Sequence, residues 1–74
     1  MDIEDKTGSN LFGKNLYKIR SSKGLSSRKL AILADMEHHQ ILNIEKGGDL
    51  RLSIIYKLAK ALEIAPAVFF EKES

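Results

Sequence analysis

The sequence predicts an all-α fold, a compact bundle of five helices, and three observations predict it. Apolar residues recur at helical spacing in four separate stretches: Phe12, Leu16 and Ile19; Leu30, Ala31 and Ala34; Ile41 and Ile44; then Leu52, Ile55, Leu58, Ala59 and Leu62. The second and third stretches are separated by three residues only, Asp35-Met36-Glu37. Cap and stop residues stand at the joints, with Ser9 or Asn10, Gly24, Ser26 and Gly47-Gly48 in the expected places.

Seventy-four residues make one small domain. At that size a single core is marginal, and no cysteine is present to supply a disulfide or a thiolate metal site. The core must hold the fold, with a partner subunit as the available reinforcement. No apolar run reaches membrane-spanning length and no signal peptide opens the chain, so a cytoplasmic protein without membrane contact is expected. The net charge of +2 is bland, but its distribution is not. Eleven of the twelve basic residues and four of the ten acidic ones lie between residues 6 and 62, giving that body +7. Acidic residues gather at the ends, at Asp2, Glu4, Asp5, Glu63, Glu71 and Glu73. A basic body favours a polyanionic partner.

Residues 1–9 are polar and acidic and contain Gly8, which predicts a flexible arm before a domain spanning residues 10–70. The first helix is expected from Ser9 or Asn10 to about Lys23, with Phe12, Leu16 and Ile19 facing inward and Lys14, Lys18 and Lys23 off that stripe. Gly24 stops it and Leu25 returns to the core. Ser26 is a good N-cap for the second helix. Asp35 tolerates the left-handed backbone that a sharp turn needs, and Met36 is placed to plug the angle between two helices. Ala31 lets the third helix cross closely. That helix should run from about His38 to Lys46 and end at Gly47-Gly48. The fourth should span roughly Leu52–Leu62, after which Ile64 turns inward. Pro66 suits the first turn of a last short helix reaching about Phe70, with residues 71–74 frayed. Ile32 and Leu33 are odd: with Leu30, Ala31 and Ala34 they make an unbroken apolar run, so at least one is expected to be exposed or covered by the arm.

This arrangement resembles the Cro/phage-repressor (XRE) helix-turn-helix superfamily. Apolar residues stand where that family expects them, at Leu30, Ala34, Met36, Ile41 and Ile44, with Ala31 at its small position and Asp35 where a positive-φ residue, usually Gly, is found. Gly24-Leu25-Ser26 matches its Gly-Leu-Ser, Ile44-Glu45-Lys46-Gly47 its Ile-Glu-basic-Gly, and Tyr56 to Leu62 its next helix. Many positions agreeing at fixed spacing make the match specific. Departures are Ser27 for a frequent Gln, the apolar Ile32 and Leu33, a shortened loop after the third helix, and Glu63 for a helix-ending Gly. The resemblance implies a lambda-repressor-like fold and double-stranded DNA as partner.

Candidate residues follow in groups. An α-helix fits the major groove and its outward N-terminal side chains meet base edges. With Ile41 and Ile44 inward, the outward face of the third helix holds His38, His39, Gln40 and Asn43, with Glu37 at its cap. Gln and Asn can bond adenine in bidentate fashion and His can donate to guanine. The resemblance implies base contact at His38, His39 and Asn43. Phosphate contact is expected at the start of the second helix, where Ser26 and Ser27 offer an anion site, and at Arg28, Lys14, Lys46, Arg51 and the backbone of Gly48. The resemblance implies a structural ion pair between Arg20 and Glu45. Val68, Phe69 and Phe70 crowd three large apolar groups onto one turn, a surplus that predicts an interface, and the resemblance implies a two-fold dimer reading a palindromic operator, the alternative being a monomer whose last helix closes a small core. A metal site is not expected, since adjacent histidines point about 100° apart and no cysteine exists. Nothing supports catalysis, a cofactor or a small-molecule ligand. The sequence therefore reads as a transcriptional regulator acting by operator occupancy, the alternative being an antitoxin-like module whose protein partner is primary.

Overall fold

In the computed structural model, which describes residues 4–48 and 50–72, the elements follow in order as α1 (Glu4–Ser22), α2 (Ser27–Ala34), α3 (His38–Glu45), α4 (Leu52–Leu62) and a C-terminal 3-10 segment (Pro66–Phe70). The fold is all-helical among the described residues, with four α-helices rather than five. The fifth element is a 3-10 segment because it is five residues long and opens on Pro66. Its amides reach back three residues, Val68 N–H to Ala65 O at 3.0 Å and Glu71 N–H to Val68 O at 3.3 Å.

Helix α1 starts earlier than its capping residues suggest. It opens at Glu4 and takes in Gly8, Ser9 and Asn10, so the stretch read as an arm is helical from Glu4 onward. Ser and Asn favour caps but are tolerated inside helices, and two acidic residue types suit a helix start. Residues 1–3, 49, 73 and 74 lie outside the described residues, and with them part of the expected arm and the end of the frayed tail.

All four helices end by the same device. A residue in left-handed conformation follows each one: Gly24 (φ 72°), Asp35 (φ 56°), Gly47 (φ 91°) and Glu63 (φ 59°). The next amide then bonds back across the last turn. Leu25 N–H reaches Arg20 O at 2.9 Å, Met36 N–H reaches Ala31 O at 2.8 Å, Gly48 N–H reaches Asn43 O at 2.8 Å and Ile64 N–H reaches Ala59 O at 3.0 Å. This is the Schellman termination, and it satisfies carbonyls that a helix end leaves without partners. At three of the four ends the returning residue is apolar, and Leu25, Met36 and Ile64 pack on the core. The chain thus uses each stop to re-enter its own interior.

The core is Phe12, Leu16, Leu30, Ala31, Ala34, Ile41, Ile44, Leu58, Ala59, Leu62 and Phe69. Helix α1 packs on α3 and on the 3-10 segment, while α2 packs on α3 and α4. The Phe12 and Phe69 rings lie 4.4 Å apart between centroids, and Asn15 Nδ2 donates to the carbonyls of Phe69 at 2.6 Å and Glu71 at 2.8 Å. These bonds pin residues 69–71 to α1. Ile32 and Leu33 are both exposed, at 76% and 53%.

Candidate nucleic-acid interface

The site is built on α3, and the scaffold holds that helix at its start, its underside and its end. At the start, Glu37 takes the N-cap position in extended conformation. Its N–H donates to Gln40 Oε1 at 2.9 Å, one half of a capping box. On the underside, Ile41 and Ile44 are buried, which turns His39, Gln40 and Asn43 toward solvent. At the end, Glu45 receives a bidentate pair from Arg20, Nε to Oε2 at 2.6 Å and Nη2 to Oε1 at 3.0 Å. The two side chains are 12% and 10% exposed, so the pair is largely desolvated and geometrically fixed. Arg20 Nη1 also donates to Leu25 O at 3.1 Å, and the Tyr17 ring stacks 5.0 Å from the guanidinium carbon. The bond to Glu45, opposed by burial and aided by the charge of Glu45, makes the Arg20 guanidinium more basic than usual. A raised base loses the stability it lends only as pH rises through its folded pKa, so on the alkaline side Arg20 stays charged and keeps its part of the pair into strongly alkaline solution.

Gly13 is the scaffold residue that the sequence reading missed. A Cβ there would lie 2.5 Å from Ile44 O and 2.7 Å from Glu45 O, so the end of α3 rests directly on the α1 backbone. An isolated Gly inside a helix pattern was the available signal.

The residues proposed to read bases separate into two kinds. His39 and Asn43 are exposed. His38 is half-buried, and its Nε2 lies 2.9 Å from Ser27 Oγ, so it ties α3 to the start of α2 rather than standing free. Gln40 is exposed, but its amide oxygen holds the cap. Its NH2 group stays outward as a donor, and bidentate bonding to adenine would cost the helix its capping bond. Arg51, the residue before α4, shares a shallow depression with Gln40, Asn43, Ile44 and Ile54, which places a guanidinium beside the reading face.

The phosphate candidates divide similarly. Ser26 Oγ accepts the Lys29 N–H at 3.0 Å as the N-cap of α2 and keeps its own proton to donate. The first amides of that helix have no intrahelical acceptor, the arrangement that binds anions. Lys14, Arg28 and Lys46 are exposed. The Gly48 N–H donates to Asn43 O at 2.8 Å, and a Cβ would meet that oxygen at 2.9 Å, so this glycine also ends α3. Phe69 is a correction. It is fully buried against Phe12 and contributes nothing to an outer surface, leaving half-buried Val68 and Phe70, 40% exposed. Leu52 and Tyr56 on α4 are exposed apolar groups outside the predicted interface. Among the described residues no three His, Cys, Asp or Glu side chains are grouped to hold a metal ion, and no helix is long and apolar enough to cross a membrane.

Two short helices crossing at a left-handed turn, with the second held out on a rigid support, define a helix-turn-helix domain. No protein-family model matches the chain. An uncharacterized HTH-type transcriptional regulator of Rickettsia conorii is 38% identical over 72 residues, 95% of this chain and 56% of the relative. A second, from Rickettsia prowazekii, is 36% identical over 72 residues, 95% of this chain and 54% of the relative. The chain thus spans little more than half the length of these curated relatives. The restriction-modification controller protein C.AhdI from Aeromonas hydrophila superposes with a TM-score of 0.81 at 36% identity, covering 84% of this chain and 96% of that one. An HTH_3 family transcriptional regulator from Vibrio cholerae superposes with a TM-score of 0.84 at 27% identity, covering 89% of this chain and 38% of that one. The chain belongs to the helix-turn-helix transcriptional regulators of the Cro/phage-repressor (XRE) type.

Proposed function

We propose that the protein is a sequence-specific double-stranded DNA-binding regulator of transcription, acting in the cytoplasm as a homodimer that occupies a palindromic operator. One observation carries the reading: α3 is clamped from three directions so that His39, Asn43 and the Gln40 amide face outward, with Arg51 beside them. Base contact is assigned to Glu37, His38, His39, Gln40 and Asn43, with His38 acting through its tie to Ser27 as well. Phosphate contact is assigned to Ser26, Ser27, Arg28, Lys14, Lys46 and Arg51, with the Gly48 backbone beside them. The exposed apolar side chains Phe70, Leu52 and Tyr56 support pairing of two copies, with Val68 at the edge.

The test is selection of bound duplexes from a random pool, followed by gel shifts of the selected site against unrelated DNA over a salt series. A selected site with affinity falling steeply as salt rises is expected, since neutralised phosphates release counterions. Equal affinity for selected and unrelated DNA would refute sequence-specific binding. A second reading, in which an antitoxin-like protein contact is primary, rests on the exposure of Ile32 and Leu33. It predicts weak DNA binding at every salt concentration.

A further inference from the structure

We infer that the exposed end of α2, together with the groove it shares with α4, is a docking site for an acidic amphipathic helix of a protein partner. Helix α2 already buries Leu30, Ala31 and Ala34, so Ile32 and Leu33 have no role in the core. They are adjacent and large, and they stand 76% and 53% exposed. Leu33 forms one wall of a groove whose other side is α4, with Lys57, Lys60 and Ala61, and whose end is the turn at Asp35. Lys57 Nζ reaches the Asp35 carbonyl only at 3.4 Å, and Lys29 lies one helical turn before Leu33 on the same face. Leu33 is therefore flanked by Lys57 and Lys60 across the groove and by Lys29 along its own helix, with Asp35 at the groove's end.

That pattern has the anatomy of a protein interface, where an apolar anchor is rimmed by charge, and it names the complement. A helix fits a groove between two helices by placing apolar side chains three and four residues apart. Carboxylates flanking those side chains would meet Lys29, Lys57 and Lys60. A nucleic-acid backbone suits the lysines but gains nothing from a naked Ile and Leu at their centre. The inference stands independently of DNA binding by α3.

The experiment uses the full, isotope-labelled chain and a synthetic helical peptide of Leu, Ala and Glu with its leucines at helical spacing. Controls are a shuffled peptide and one with Lys in place of Glu. Saturable one-to-one binding is expected, with chemical-shift changes centred on Ile32, Leu33, Lys57 and Lys60. Leu33→Ser, and separately Lys57→Glu with Lys60→Glu, should each weaken it by about tenfold or more with unfolding temperature retained. No binding, equal binding of either control, or shifts elsewhere would overturn the proposal. So would tighter binding of anionic phospholipid vesicles through the same residues, displacement of the peptide by duplex DNA, or a self-association that Leu33→Ser abolishes.

Discussion

Gly13→Ala separates two effects of opposite sign. Inside an exposed helix this change stabilises by roughly 1 kcal/mol, because Ala loses less backbone freedom than Gly on folding. At position 13 the new methyl meets Ile44 O at 2.5 Å and Glu45 O at 2.7 Å, where ordinary contact begins at 3.4 Å. The atoms in the way are backbone carbonyls of α3, so relief requires that helix end to retreat by roughly the 0.9 Å between contact and overlap. Overpacking of this kind costs about 1–3 kcal/mol. The retreat also stretches the Arg20–Glu45 pair, whose two bonds measure 2.6 and 3.0 Å. Overpacking less the propensity gain leaves about 0–2 kcal/mol of destabilisation, and the stretched ion pair moves the expectation to the upper part of that range, a fall of about 5–10 °C in unfolding temperature for a domain of this size. Thermal unfolding followed by circular dichroism reads the stability. Affinity for the selected operator, measured where the variant is fully folded, should fall further than the folded fraction accounts for, because the reading helix has moved. A variant more stable than the wild type by the propensity gain alone would refute the close crossing of α3 over α1.

Three other changes test other parts of the structure. Asn43→Ala removes an outward side chain, and it should reduce discrimination between operator and unrelated DNA by about 1–3 kcal/mol with unfolding temperature nearly unchanged; a loss of fold would place Asn43 in the scaffold instead. Glu45→Ala strands Arg20 in a desolvated site and should cost up to about 3–5 kcal/mol, whereas Glu37→Ala removes only a capping residue worth about 0.5–2 kcal/mol. Equal unfolding temperatures for those two variants would dispose of the clamp. Glu63→Gly relieves a left-handed residue that costs a side chain about 1–2 kcal/mol, partly offset by the greater freedom of Gly in the unfolded chain. A rise of a few degrees is expected in calorimetry, and a fall would mean that the Glu63 side chain contributes something its exposure does not suggest.

The helical layout was legible because each stretch carried apolar residues at spacing three or four and three of the four ended on a residue suited to left-handed backbone, Gly24, Asp35 or Gly47. Asp35 and Met36 announced the turn, and Gly24-Leu25 and Glu63-Ile64 repeated it. What escaped was of two kinds. Contacts between residues far apart in sequence leave no local trace: Asn15 bonds carbonyls 54 and 56 positions away, and Gly13 meets the end of α3. Phase was the other gap. Phe69 and Phe70 are both aromatic, and which one points inward depends on the three-residue turn of a 3-10 segment. Position alone also hid a structural duty at Gln40, His38 and Gly48. Gln40 stands three residues after Glu37, a capping pattern that was readable as such. His38 and Gly48 occupy the face or loop expected of contact residues, yet each has a hydrogen-bonding group engaged in holding α3.

That engagement bounds what one copy can achieve on DNA, and the bound yields a last prediction. An isolated eight-residue helix is not stable in water, so α3 owes its order to the scaffold, and DNA binding need not supply the entropy of ordering it. The cost is that polar groups on its surface are divided between support and recognition. His39 and Asn43 remain wholly outward, with the Gln40 amide and Arg51 beside them. Two or three good base contacts at about 2 kcal/mol each, the middle of the usual range of about 1–3 kcal/mol, give one copy roughly 4–6 kcal/mol of discrimination. Specific binding typically exceeds non-specific binding by about 4–10 kcal/mol, so a single copy stays in the lower part of that range and two copies on a two-fold site reach its upper end. A duplex carrying one half-site should accordingly be distinguished from unrelated DNA by far less than the intact palindrome is, with the logarithm of the preference close to halved. Competition gel shifts at one salt concentration measure both ratios. Full discrimination on the half-site would mean that one copy reads more bases than its outward side chains allow, and the assignment of α3 as the sole reading element would fail.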